Sequence, residues 1–118
     1  MAKHITFTYH DGNRYTLEFN RETVQSMENR GFNLNKITES PATYIPVLFA
    51  GALRMHHRKL KPAMVDKMYE NFGDKEKLLP LLIEMYSETL DTLMDDPEDE
   101  AKKVTWEASW SDEEEENS

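Results

Sequence analysis

The charge of this chain is unevenly distributed along the sequence, and this limits what can fold. Residues 95–118 contain eleven acidic side chains and two lysines, which accounts for the whole net charge of -9, whereas residues 1–94 contain twelve acids and twelve bases. So acidic a segment cannot bury enough apolar surface to offset the entropy lost on ordering. We therefore predict one small folded domain over residues 1–94 and a flexible acidic tail over residues 95–118.

The size and composition of the neutral part exclude several classes of protein. About 94 residues form one domain near the lower limit for an unaided hydrophobic core. The chain has no cysteine, which rules out a disulfide framework or a thiolate metal site. The longest mainly apolar run, residues 44–53, is about half of what a membrane span needs, and the beginning of the chain lacks the pattern of a secretory signal. We expect a cytoplasmic protein without a membrane partner.

The first part of the chain has the alternation of a β-hairpin. Apolar residues occupy every second position over residues 5–9 and again over residues 15–19, and Asp11-Gly12-Asn13 between them suits a tight connection. A two-stranded ribbon is only marginally stable in water, so its apolar face must pack on helices or on another chain.

The remainder of the first 94 residues is predominantly helical in pattern. Asn20, Ser40 and Asp74 are good N-caps, and a proline directly follows Ser40. Residues 32–40 lack a clear period and are predicted to be a loop. The predicted helices cover residues 21–30, 41–57, 62–72 and 75–94. The fold class is therefore α+β and mostly helical, with an N-terminal hairpin followed by about four helices.

No residue arrangement is typical of catalysis or of metal binding. The four glycines are scattered and form no phosphate-binding loop, and the four histidines lack the i, i+4 spacing of a zinc site. The serines have no motif that would activate a nucleophile. We predict a protein that is not an enzyme and that needs no cofactor or metal.

The basic segment, residues 54–61, is the positive counterpart of the tail, with Arg54, Arg58 and Lys59 as candidate partner-binding residues. It could bind an acidic partner, or it could be an ordinary helix end whose cations complement the helix dipole. In a third interpretation, the acidic tail folds back onto it. Nucleic acid is not expected as a partner, because the domain is neutral and the rest of the chain is acidic.

Methionines are frequent in the predicted helices, and Met64 and Met68 are candidates for an apolar groove that accepts helical partners. The alternative is that these flexible side chains fill the core.

The tail contains one segment with a regular pattern. In the tryptophan segment, residues 103–110, the apolar side chains Val104, Trp106, Ala108 and Trp110 fall on alternate positions. An extended strand would place both tryptophans on one face, so we predict a linear docking motif that binds by strand addition. The acids at 112–116, including Glu113 and Glu114, would steer the encounter. The alternative is that the tryptophans pack on the core of their own chain.

The order of these parts resembles the small tail assembly chaperones of long-tailed bacteriophages and prophages, including their relatives in gene transfer agents. The resemblance covers residues 3–94: the hairpin ITFTYHDGNRYTLEF, the polar helix RETVQSMENRG, the helix around SPATYIPVLFAGALRMHH, the linker RKLKP before MVDKMYENFG, and a final amphipathic helix. It rests on layout and includes no catalytic motif.

The resemblance implies a non-enzymatic protein of virion assembly. Such chaperones coat the tape measure protein and recruit tail tube subunits. The chain could also form a homo-oligomer. Two other classes remain open: an acidic decoy that imitates nucleic acid to block a host DNA-binding enzyme, and a regulatory adaptor whose tail covers its own basic segment.

Overall fold

The computed structural model describes residues 3–110 and confirms a hairpin followed by helices. Five α-helices follow the two strands, and two short 3₁₀ turns, Thr92–Met94 and Glu100–Lys102, come last. The elements are β1 (His4–Thr8), β2 (Arg14–Glu18), α1 (Arg21–Asn29), α2 (Asn35–Glu39), α3 (Pro41–Arg54), α4 (Pro62–Asn71) and α5 (Lys75–Asp91).

The hairpin is antiparallel, with Thr6 opposite Thr16 in the centre of the register. Gly12 adopts a φ of +82°, the left-handed backbone conformation that the predicted tight connection requires. The Asp11 carboxylate accepts hydrogen bonds from the Asn13 N–H at 2.9 Å and the Tyr15 hydroxyl at 2.7 Å, which lowers the pKa of Asp11. Tyr15 and Leu17 are buried on the inner face of β2. The alternation of apolar and polar residues in the sequence therefore indicates which face of the hairpin packs against the helices.

Helix α1 begins and ends as its sequence predicts. The Asn20 side chain accepts a hydrogen bond from the Thr23 N–H at 2.8 Å. Gly31 has a φ of +94°, and the Phe32 N–H bonds back to the Met27 carbonyl at 3.0 Å, as in a Schellman motif. This reversal returns the chain to the core at Phe32, which is buried.

The loop predicted over residues 32–40 contains the short helix α2, so that prediction was wrong in part. The Asn33 side chain accepts a hydrogen bond from the Asn35 N–H at 2.9 Å and starts the turn. Five residues are too few for an apolar period to show in the sequence. Phe32 and Ile37 are nevertheless buried and attach this stretch to the core.

Helix α3 is the centre of the fold and packs against β2, α1, α4 and α5. It is continuous through Pro46 and ends at Arg54, three residues before the predicted end. Gly51 lies where α3 meets α1, and a Cβ there would lie 2.4 Å from Met27 Sδ, so the Met27 side chain would have to move. The buried face of the helix consists of Leu48, Phe49, Gly51, Ala52 and Leu53.

Helix α5 starts after Asp74, which has a φ of +53° and makes no side-chain capping bond, contrary to the prediction. In the left-handed conformation its carboxylate does not reach the first N–H groups of the helix. The helix ends at Asp91, and a 3₁₀ turn continues to Met94. Leu82 and Tyr86 lie on the inner face of α5 and are buried in the core.

Tyr86 has a buried hydroxyl without a hydrogen-bond partner among residues 3–110. Burial and the nearby Glu28 carboxylate raise the pKa of Tyr86 to about 12. We expect Tyr86→Phe to raise the free energy of unfolding by about 1 kcal/mol, because the variant buries the same ring without an unpaired hydroxyl. Urea unfolding, with Tyr44→Phe at a half-buried tyrosine as the control, measures this. A loss of stability would mean that the Tyr86 hydroxyl has a partner.

Candidate protein-binding surfaces

The last described part of the chain carries its most exposed apolar side chains. Met94, Val104 and Trp106 are 86%, 84% and 83% exposed, and Trp110 is 68% exposed. The described residues have a radius of gyration of 18.8 Å, whereas a compact domain of this length has one of about 13 Å. The C-terminal part therefore extends away from the core, and the two tryptophans do not pack on it. The alternative that the tryptophans pack on the core of their own chain is therefore wrong.

Between α5 and the tryptophan segment, hydrogen bonds and ion pairs join residues that are close together in the sequence. Asp99 accepts a hydrogen bond from the Ala101 N–H at 2.9 Å and so caps the 3₁₀ turn. Lys103 Nζ lies 3.7 Å from an Asp96 carboxylate oxygen and 3.9 Å from one of Glu100. Residues 103–110 form no strand in this structure, and Ala108 is half-buried. The predicted strand therefore requires an edge to pair with. Glu113 and Glu114 lie outside the described residues.

The basic segment is at the surface, as its composition predicts. Arg54, Arg58 and Lys59 are exposed, and Arg58 Nη2 lies 3.9 Å from a Glu22 carboxylate oxygen. Both partners of this pair are more than 70% exposed, so it contributes little to stability. In residues 3–110, the ion pairs of the basic segment are to the hairpin and α1, and none is to the tail. Its arginines thus remain accessible to an acidic partner.

The two histidines of the basic segment attach α3 to the hairpin. His57 Nε2 accepts a hydrogen bond from the Thr16 N–H at 3.0 Å, and His56 Nε2 lies 2.8 Å from Glu18 Oε1. The His57 ring packs edge-on against Tyr15 with ring centroids 4.9 Å apart. Burial, and to a lesser extent the adjacent His56, lower the pKa of His57. These histidines therefore have a structural role that the sequence did not indicate.

A groove between α1 and α3 was missed by the sequence analysis. Its volume is about 270 Å³, its apolar lining includes Phe32, Tyr44 and Val47, and Arg30 and Arg54 also border it. Val47 is the large apolar side chain of α3 that stays exposed, at 37%. The groove depends on α1 lying beside Gly51, and the small side chains at 50 and 51 were the signal that could have indicated it. We name it the α1–α3 groove.

The two methionine candidates have different positions. Met64 is half-buried on α4, whereas Met68 is completely buried. Met68 lies on the face of α4 that packs against the core and fills the core, as the alternative interpretation had it, and it also borders a groove formed with Phe7 and Phe72. The burial of Met68 is explained by its contacts in the core, where a flexible methionine side chain fills irregular space.

Neither a metal site nor a membrane-spanning helix is present between residues 3 and 110. No group of three or more histidine or acidic side chains there could hold a metal ion. No helix in that range is long and apolar enough to cross a bilayer.

Comparison with known proteins identifies a family. No curated protein and no solved structure matches the chain. A family model described as "Domain of unknown function (DUF5055)" matches residues 1–110, which include the whole folded domain and the tryptophan segment. The chain therefore belongs to the DUF5055 family.

Proposed function

We propose that this protein is a non-enzymatic tail assembly chaperone of a bacteriophage or prophage, acting in the cytoplasm of the host cell. It binds the tape measure protein and recruits tail tube subunits. The observation that carries the proposal is the exposure of Trp106 and Trp110 on a segment outside the core. Large exposed aromatic side chains are typical anchors in protein interfaces and are costly to leave in water.

The two partners would use two different surfaces. The tape measure protein, long and helical, would lay an apolar stripe into the α1–α3 groove, where Tyr44 and Val47 offer apolar contacts. Arg30, Arg54 and the nearby Arg58 and Lys59 would pair with acids that flank the stripe. The tryptophan segment would then be available for the tube subunit, with the acidic residues that follow it increasing the rate of encounter.

Co-expression with the neighbouring genes tests the proposal. The intact chain and a version that ends at Asp95 are purified with their bound proteins, which mass spectrometry identifies. We expect both versions to retain a long helical tape measure protein and to raise its soluble fraction, and only the intact chain to retain a tube subunit. Val47→Glu should reduce recovery of the tape measure protein several-fold, because it buries a charge in the apolar groove.

A matched pair of variants isolates the role of the tryptophans. Trp106→Ala with Trp110→Ala should lose the tube subunit, whereas Thr105→Ala with Ser109→Ala, in the same segment, should retain it. Recovery of neither protein by the intact chain would overturn the proposal. Recovery instead of a host DNA-binding enzyme, lost at high salt, would favour the acidic decoy.

A further inference from the structure

The outer edge of β1 is open in this structure. In an antiparallel pair, residues alternate between exchanging hydrogen bonds and directing their backbone groups away from the partner strand. The Thr16 N–H points away from β1, because it bonds to His57, so the opposite residue Thr6 directs its own N–H and carbonyl outward. His4 and Thr8 have the same orientation two residues away. Within residues 3–110, no other backbone group bonds to this edge.

The sides of the open edge are chemically different. Ile5, Phe7 and Tyr9 are half-buried on the inner side, and a groove of about 210 Å³ lies between Phe7, Tyr9 and Phe72 at the end of α4. The outer side presents the exposed Thr6 and Thr8. An added strand must therefore be apolar on one face and polar on the other.

The tryptophan segment has this pattern. Val104, Trp106, Ala108 and Trp110 share one face of an extended strand, and Thr105, Glu107 and Ser109 share the other. Laid along β1, the apolar face covers Ile5 and Phe7, and the polar face continues the row of Thr6 and Thr8. The tryptophans would lose the exposure that they have in this structure.

We propose that the tryptophan segment of one copy of this chain adds as a third strand to the β1 edge of a second copy. The contact supplies backbone hydrogen bonds to Thr6 and an apolar cover for Phe7, the two groups that the isolated hairpin leaves incomplete. It joins different surfaces of the two copies, so reciprocal exchange gives a closed dimer and one-way exchange gives a chain of copies.

Charge complementarity supports a second copy as the occupant. Arg14 lies on β2 opposite Thr8, and its Nη2 donates to Thr6 Oγ1 at 3.3 Å, so its cation is held beside the polar face of β1. Among residues 3–110, neither Arg14 nor Glu107 forms an ion pair. With Glu107 placed opposite Thr6, the carboxylate and the guanidinium meet across the new strand pair.

The inference goes beyond the proposed function and is tested on the purified chain alone, so that its failure leaves the capture experiment unaffected. If the proposed function and this self-association are both correct, a tube subunit must displace the second copy to reach the tryptophans. Self-association would then regulate how many segments are free to recruit subunits.

Two variants disable the two halves of the contact. Thr6→Pro removes an outward N–H without loss of a bond to β2, and Thr6→Lys blocks the edge with a charge if proline disturbs the hairpin. Trp106→Ala with Trp110→Ala removes the anchors. Far-UV circular dichroism confirms that each variant is folded. Sedimentation over a concentration series should show wild-type association, weakened about thirtyfold in the tryptophan variant, as expected for an aromatic anchor, and weakened also in the edge variant.

Mixing the two variants distinguishes exchange between copies from docking within one. The edge-blocked variant, Thr6→Pro or Thr6→Lys, retains both tryptophans of the chain. The variant with Trp106→Ala and Trp110→Ala has none. On mixing, the edge-blocked chain should bind the intact edge of its partner, and its tryptophan emission should shift to the blue. Absence of a shift would overturn the proposal, as would a wild-type chain that stays monomeric or a dimer that survives both sets of substitutions. Wild-type emission that is blue-shifted at every concentration would mean docking within one chain and would also overturn it.

A charge exchange tests the placement of Glu107. Arg14→Glu and Glu107→Arg should each weaken wild-type association about fivefold, and the double variant should recover it, since it restores the pair with reversed polarity. Equal losses without recovery would contradict this placement.

Discussion

Replacing Phe49 by alanine is expected to lower the free energy of unfolding by about 3–5 kcal/mol. Phe49 is fully buried on α3, and its ring centroid lies 5.4 Å from those of Tyr69 and Phe72. Phe72 in turn packs edge-on against Phe7 of β1 at 4.9 Å. The ring thus joins α3, α4 and the hairpin. The total stability of a domain is on the order of 5–15 kcal/mol, so this one substitution removes a large share of it.

Val47→Ala is the control on the same helix. Val47 is 37% exposed, so its truncation should change the free energy of unfolding by less than about 1 kcal/mol. Urea unfolding followed by circular dichroism measures both variants. Similar losses in the free energy of unfolding for Phe49→Ala and Val47→Ala would mean that the inner face of α3 does not form the core. Phe49→Leu should lose less than Phe49→Ala, because it fills part of the cavity.

The elements that sequence reasoning predicted best are those with a signal longer than one turn. The hairpin has two runs of strict alternation around Gly12, and α1 has Asn20 and Gly31 at its ends. Helix α2 escaped detection because it spans only five residues. Asp74 satisfied the residue preference of an N-cap, but its left-handed backbone took the carboxylate away from the helix. Residue preference and backbone conformation are separate requirements, and a sequence shows only the first.

The surfaces were predictable only where they lie within one segment. The tryptophan segment has its whole pattern in eight consecutive residues, and Arg54, Arg58 and Lys59 are close together in the chain. The α1–α3 groove and the β1 edge depend on which helices pack beside which strands. The role of His57 depends on its position opposite Thr16, forty-one residues earlier in the sequence. No local pattern indicates a contact of that separation.

His57→Ala is expected to lower the free energy of unfolding by about 1–3 kcal/mol above the ordinary histidine pKa. In the wild type, the Thr16 N–H donates a hydrogen bond to His57 Nε2 at 3.0 Å, and the His57 ring packs against Tyr15. The substitution removes both contacts and leaves the Thr16 N–H without its acceptor. Only neutral imidazole can accept this bond, so the contribution of His57 depends on pH.

The pKa of His57 is lowered in the folded state from 6.5, so protonation favours the unfolded chain. The contribution of His57 to stability is therefore complete above pH 6.5 and is lost as the pH falls through the lower folded-state pKa. Below it, imidazolium cannot accept from Thr16 and lies beside His56. The stability difference between wild type and His57→Ala should shrink over this range.

Urea unfolding at several pH values on both sides of 6.5, compared with His57→Ala and with His4→Ala as an exposed histidine control, measures the effect. We expect the His57→Ala curve to be flatter than that of the wild type. A His57→Ala curve parallel to the wild type would contradict a neutral His57 as the acceptor. Because this bond fixes the outer side of β2, its loss in acid should also loosen the hairpin whose other strand provides the β1 edge, so self-association should weaken over the same pH range.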